Sequence, residues 1–147
     1  MSFKTIFPIL FFLASSVFGI DFQKDSVVVI VSVEGFENDE GVCRLLLFEN
    51  EKGFPDSRED AKLFFGGSIK NKKAEFSFKL FPGNYAISVL HDENMNGEMD
   101  KNWLGIPKEG FGASNNLKIG FGPPGFREAI VILDEKNTRI KIKMNYM

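Results

Sequence analysis

The sequence predicts an all-β protein, a β-sandwich of about seven short strands interrupted by one long loop rich in Gly and Pro. Two observations carry this. β-branched and aromatic residues gather in runs of five to eight, separated by clusters of Gly, Pro, Asn and Asp. No segment holds an apolar stripe of helical period long enough for a substantial helix.

Before the first strand, residues 1–19 follow the plan of a secretory signal peptide. Lys4 gives a positive start, residues 6–17 are mostly apolar, and Val17-Phe18-Gly19 offers a small-residue exit. The apolar stretch is short for a bilayer span, which needs about 20 residues. An uncleaved anchor is the rival reading. No cysteine follows the stretch closely, so a lipoprotein anchor is not expected. The division is therefore a signal peptide at 1–19 and one β-sandwich domain at 20–147. The expected address is exported: periplasmic, cell-surface or secreted, with the membrane met only through the export signal.

Residues 27–33 are Val- and Ile-rich and read as the first strand, and residues 42–48 as the second, after the polar turn at 37–41. Residues 49–63 carry Gly53 and Pro55 and read as a loop, with one short helical turn at 57–62. A short edge strand is expected at 65–69. Residues 74–80 alternate cleanly: Ala74, Phe76, Phe78 and Leu80 share one face and Glu75, Ser77 and Lys79 the other. Phe81-Pro82-Gly83-Asn84 is a turn, since Pro fixes φ and Gly tolerates positive φ. Tyr85, Ile87 and Val89 then point one way along the next strand. Residues 103–125 form the long loop, holding Trp103, Phe111 and Phe121 among glycines and prolines. Strands at 129–133 and 140–144 close the chain, joined by a hairpin turn at 134–137.

Charge is nearly balanced, with 18 basic and 20 acidic residues and a net charge of −2. This argues against a nucleic-acid binder, which needs a clustered basic surface. Phe occurs 17 times and Trp once, so the apolar bulk is suited to a core or an apolar groove. Cys43 is the only cysteine and lies within an apolar run, where it reads as a small buried hydrophobe.

The stretch with the most specific chemistry is Asp92-Glu93-Asn94-Met95-Asn96-Gly97-Glu98-Met99-Asp100. Oxygen-bearing side chains stand at relative positions 1, 3, 5 and 9, with Gly at 6, the opening of a Ca²⁺ loop. Short oxygen side chains at alternate positions meet at one point when the backbone curls around it. Gly97 permits the curl, and the backbone carbonyl of Glu98 adds an oxygen. The twelfth position, where a bidentate Glu completes an EF-hand loop, is Trp103, and no helices flank the segment. Glu109 is the nearest replacement. The expected metal set is thus Asp92, Asn94, Asn96, Glu98, Asp100 and Glu109, with Ca²⁺ as the cofactor. The competing reading is an Asx-rich turn that holds no ion.

Three segments together carry a family resemblance: Leu80-Phe81-Pro82-Gly83-Asn84-Tyr85-Ala86, the run from His91 through Asp100, and Leu104-Gly105-Ile106-Pro107-Lys108-Glu109-Gly110 with Ser114-Asn115-Asn116. The chain resembles the DUF2141 family of exported bacterial proteins over nearly all of residues 27–146. Its Pro-Gly-x-Tyr turn is also similar to that of transthyretin-like and carboxypeptidase-regulatory-like sandwiches. The resemblance implies an immunoglobulin-like or prealbumin-like sandwich and export, and no established reaction. Met95 departs from the family pattern, in which Gly is common at this position.

Three functions are compatible with these features. The first is a non-catalytic binding module whose long loop presents Trp103 and Phe111 to a carbohydrate, a peptide or another envelope component. The second is a structural envelope protein braced by the loop. The third is a hydrolase using His91, the only histidine, with Asp92 or Glu109. Ser114 lacks the G-x-S-x-G setting of a nucleophile. No P-loop or dinucleotide fingerprint is present. One His and one Cys do not make a zinc site.

Overall fold

The computed structural model describes residues 25–117 and 122–147. The expected signal peptide and Phe121 lie outside the described residues. The strands are β1 (Val27–Glu34), β2 (Val42–Phe48), β3 (Leu63–Gly67), β4 (Lys73–Leu80), β5 (Gly83–Asp92), β6 (Phe111–Ala113), β7 (Ile130–Leu133) and β8 (Arg139–Lys143). A 3₁₀ turn at Ser114–Asn116 and a four-residue helix, α1 (Phe126–Ala129), separate β6 from β7.

The strands form two sheets, as an all-β sandwich requires. One has the order β4-β1-β8; the other has the order β3-β2-β5-β6, with β7 also paired to β5. In the first sheet β1 runs antiparallel to β4, with Val29 opposite Phe78 and Val31 opposite Phe76. It runs parallel to β8, with Val31 opposite Ile140. The alternation read in β4 is realised in full, with Ala74, Phe76, Phe78 and Leu80 buried and the intervening residues exposed. The core lies between the sheets, where Val29, Val31, Val33 and Ile142 meet Cys43, Leu45, Leu47, Ile87 and Val89. Phe65 stacks on Phe78 with ring centroids 5.0 Å apart, closing the β3–β4 side.

The Pro-Gly turn into β5 is fixed by close approach. A side chain at Gly83 would press on the Tyr85 ring at 3.1 Å. The Tyr85 hydroxyl donates back to the Phe81 carbonyl at 2.8 Å. This locks the corner as a buried Tyr locks the corner of many sandwiches.

Three expectations are revised. Among the described residues the strand count is eight, because the long loop contains β6. The edge strand begins at Leu63, two residues earlier than expected, and ends at Gly67. The turn at 134–137 does not join a hairpin: β7 pairs with β5 in one sheet and β8 with β1 in the other, so this turn crosses between sheets.

The two sheets differ in what covers their outer faces. β4 is wet on one side, whereas β2 has Leu45, Leu46, Leu47 and Phe48 all buried, so its outer face is covered too. Part of that cover is a second small core of Ala86, Ala113 and Ala129 with Phe54, Leu117 and Phe126 packed on it. Phe54 bridges Phe48 and Phe126 edge-to-face, at 5.3 and 5.7 Å. Among the described residues, no helix is long and apolar enough to cross a membrane.

Cys43 is fully buried, and burial pushes its thiol from an ordinary 9.0 up to about 12. The folded chain keeps this proton where the unfolded chain releases it. The contribution to stability is therefore complete below pH 9.0 and is lost as pH rises toward about 12. Burial of Tyr85 and Tyr146 acts in the same direction. Urea unfolding followed from about pH 8 to about pH 11 should show falling stability, and Cys43→Ala should flatten the decline.

Candidate functional site

The loop after β5 is built around Asp92, whose side chain is fully buried. A buried carboxylate needs donors on both oxygens. Oδ1 accepts from the Asn96 amide at 3.1 Å, and Oδ2 accepts from the Gly97 amide at 2.9 Å and from Arg44 Nε at 2.5 Å. Arg44 reaches it because Val42 of β2 lies opposite Asp92, placing residue 44 two positions along on the same outer face. The two backbone bonds curl residues 93–97 over the carboxylate. The curl uses positive φ at Gly97 (84°) and at Met95 (59°). Met95 thus occupies a conformation that favours glycine, which gives its departure from the family pattern a physical meaning.

The curl brings the other expected ligands together. Asn94 donates through Nδ2 to Asp100 Oδ2 at 2.8 Å, and Asn96 donates through Nδ2 to Asp100 Oδ1 at 3.1 Å. The two amide oxygens accept from the backbone N–H groups of Asn96 and Glu98, at 3.0 and 2.8 Å. Glu109 is buried against the loop, as its proximity in sequence suggested. Its Oε1 accepts from the Glu93 amide at 3.1 Å and its Oε2 from the Asp100 amide at 3.0 Å, so it clamps both ends of the loop. The Glu98 side chain is exposed and stands apart from this cluster.

For a cation, the fit is partial. Among the described residues, no three Asp, Glu, His or Cys side chains form a group able to hold a metal ion. A site here depends on amide and carbonyl oxygens beside Asp92 and Asp100. Arg44 already neutralises Asp92, and both Asn side chains turn their N–H₂ ends toward Asp100. An incoming ion would have to displace these contacts.

His91 precedes the loop but faces the other side of β5, since neighbouring residues of a strand point to opposite faces. It is fully buried. Nε2 lies 2.9 Å from the Glu40 carbonyl, which can only accept, so this nitrogen carries the proton. Nδ1 lies 2.8 Å from the Tyr146 hydroxyl oxygen, which accepts from the Glu37 amide at 3.1 Å, and 3.6 Å from Glu93 Oε1. Phe36 packs edge-on at 5.1 Å. Gly41 lets the 37–41 turn come this close: its φ is positive, and a side chain there would collide with the Asp92 carbonyl. Both imidazole nitrogens are engaged inside the protein, on the side opposite Asp92. That arrangement favours a structural histidine over a general base acting with Asp92 or Glu109. Ser114 is likewise buried, accepting from the Ile87 amide at 3.0 Å and donating to the Ala129 carbonyl.

Sequence reasoning did not find the groove of about 720 Å³ on the outer face of the five-stranded sheet. Its floor is Leu46, Phe64, Leu90 and Phe111, adjacent across β3, β2, β5 and β6. Residues 54–58, 97–107 and 122–124 contribute to its walls. The Arg58 guanidinium lies 4.1 Å from the Phe64 ring centroid and that of Arg44 5.7 Å. Phe111, expected on a presenting loop, is instead a buried strand residue at this floor, while Trp103 is 90% exposed. The unbroken apolar run Leu45-Leu46-Leu47-Phe48 in β2 was the available signal, because a strand covered on both faces loses its alternation.

A family model described as an uncharacterised protein conserved in bacteria, DUF2141, matches residues 31–141. No curated protein and no solved structure matches the chain.

His91→Ala would leave the Tyr146 hydroxyl and the Glu40 carbonyl without their buried partner. The expected cost is about 2 kcal/mol or more, measured by denaturant unfolding. A variant of unchanged stability would contradict the structural role.

Proposed function

The chain belongs to the DUF2141 family, and from its loop and groove we propose that it is an exported, non-catalytic binding module with a weak Ca²⁺ site at residues 92–100. The observation that carries the reading is the curl imposed by Asp92, which gathers Asn94, Asn96 and Asp100 into one hydrogen-bonded cluster. Hard oxygen donors of mixed charge suit Ca²⁺ better than Mg²⁺, which keeps most of its waters. Asp92 and Asp100 would supply the charge, and Asn94, Asn96 and the Glu98 carbonyl the neutral oxygens. Affinity in the ~10⁻⁴–10⁻³ M range would match calcium levels outside the cytoplasm. The signal-peptide plan of residues 1–19 supports that location.

The groove supplies the binding surface. Gly97, Glu98, Met99 and Lys101 contribute to its lining, so an ion that stiffens the loop also sets that wall. The apolar floor suits the hydrophobic side of an extracytoplasmic carbohydrate, peptide or envelope component. The non-catalytic part of the reading is supported by the internal bonding of His91 and Ser114.

Thermal unfolding in calcium and in chelator tests the loop. Stabilisation is expected to reach about 2.7 kcal/mol at a hundredfold excess over Kd, and Asp100→Ala should abolish it. Identical melting of the unmodified protein in calcium and in chelator would defeat the reading.

A further inference from the structure

We propose that the turn at residues 102–106 is a membrane-docking tip, which seats Trp103 and Leu104 in the interfacial layer of an anionic lipid bilayer. Trp103 is 90% exposed and Leu104 61%, and Ile106 beside them is 38% exposed. This exposure is built into a braced turn. Asn102 Oδ1 accepts from the amides of Leu104 and Ile106, at 2.9 and 3.0 Å. The Asn102 amide donates to the Ile106 carbonyl and the Gly105 amide to the Asn102 carbonyl, both at 2.9 Å. Lys101 and Pro107 form a bridge at the base, and the Lys108 amide donates to the Asp100 carbonyl at 2.8 Å. The side chains at the tip thus face solvent on a fixed backbone.

The order of chemistry along the turn matches an interface. Trp and aliphatic groups stand outermost, and exposed Lys101 and Lys108 form a collar behind them. Neither lysine is ion-paired among the described residues. Their long stems reach headgroups while the tip sits deeper. A protein partner would also have to fill the adjoining groove, which Lys101, Leu104, Gly105 and Ile106 line, whereas Trp103 is not part of that lining.

The neighbouring loop makes docking conditional. Glu98 and Asp100 stand close to the collar in sequence and offset the charge of its two lysines. They repel anionic lipid until a divalent cation offsets them. This calcium dependence rests on the loop reading above, whereas insertion of the tip rests on the exposure of Trp103 and Leu104.

Trp103 is the chain's single tryptophan, so its fluorescence reports the tip and is blind to the apolar N-terminal residues. The experiment uses vesicles of phosphatidylcholine, with and without phosphatidylglycerol, in calcium and in chelator. The expected result is a blue shift and protection from acrylamide quenching on anionic vesicles in calcium. Co-sedimentation should fall about tenfold in Trp103→Ala/Leu104→Ala, whose melting temperature should be unchanged because neither side chain is buried. Docking of equal strength in chelator would keep the tip and fail the calcium reading. Emission unshifted by every vesicle overturns the proposal, even if calcium raises the melting temperature. A shift produced by lipid-free envelope protein and not by vesicles also overturns it, in favour of a protein partner.

Discussion

The buried Asp92 carboxylate is the constraint on which the functional end of the molecule depends. A carboxylate without solvent exposure is tolerable only with a positive partner and a full set of donors. Arg44 supplies the first, and the Asn96 and Gly97 amides complete the second. Meeting that demand fixes three things together: the path of the loop, the position of Arg44 on the outer face, and the wall of the groove. Removing one member of such a pair typically costs about 3–5 kcal/mol, because the remaining charge stays buried. Arg44 is partly exposed, so its loss falls toward the lower end of that range.

The outer face of the five-stranded sheet explains why this side differs from its opposite. β2 is apolar on both faces, so its outward residues had to be covered or left as a groove. Phe48 and Ala86 are covered by Phe54, Phe126 and α1. Leu46 and Leu90 are left to the groove, and the Ser88 hydroxyl, bonded to the Pro55 carbonyl at 2.5 Å, marks the boundary. One face of one sheet is therefore part second core and part binding surface.

Most of the sandwich was legible in the sequence because alternation has a direct cause: a strand between core and water must switch character at every residue. β4 is the clearest case. β6 was not legible, because Phe-Gly-Ala is too short to show a period and its Gly112 packs against β8, where a side chain would meet Ile142 at 2.9 Å. The crossing between β7 and β8 was hidden for another reason. Asp134 accepts from the Lys136 and Asn137 amides, each at 2.8 Å, a local pattern common to hairpins and to turns that change sheets. Within the loop, the spacing of Asp92, Asn94, Asn96 and Asp100 foretold their meeting. Arg44 did not announce itself, since 48 residues separate it from Asp92 and only strand pairing brings them together. Glu109, expected as a replacement ligand, instead spends both carboxylate oxygens on the Glu93 and Asp100 amides, contacts that no sequence spacing announces.

The hydrogen bond between Tyr146 and His91 has a consequence for the order of folding. It places a residue that follows β8, a strand that pairs in parallel with the first, against a histidine 55 residues earlier in the middle of the domain. The buried end of the domain cannot be completed until β8 and residue 146 are free to dock on β1 and His91. Until then the chain lacks the β1–β8 pairing that shuts the sandwich, so the buried histidine is the last part of the core to be enclosed.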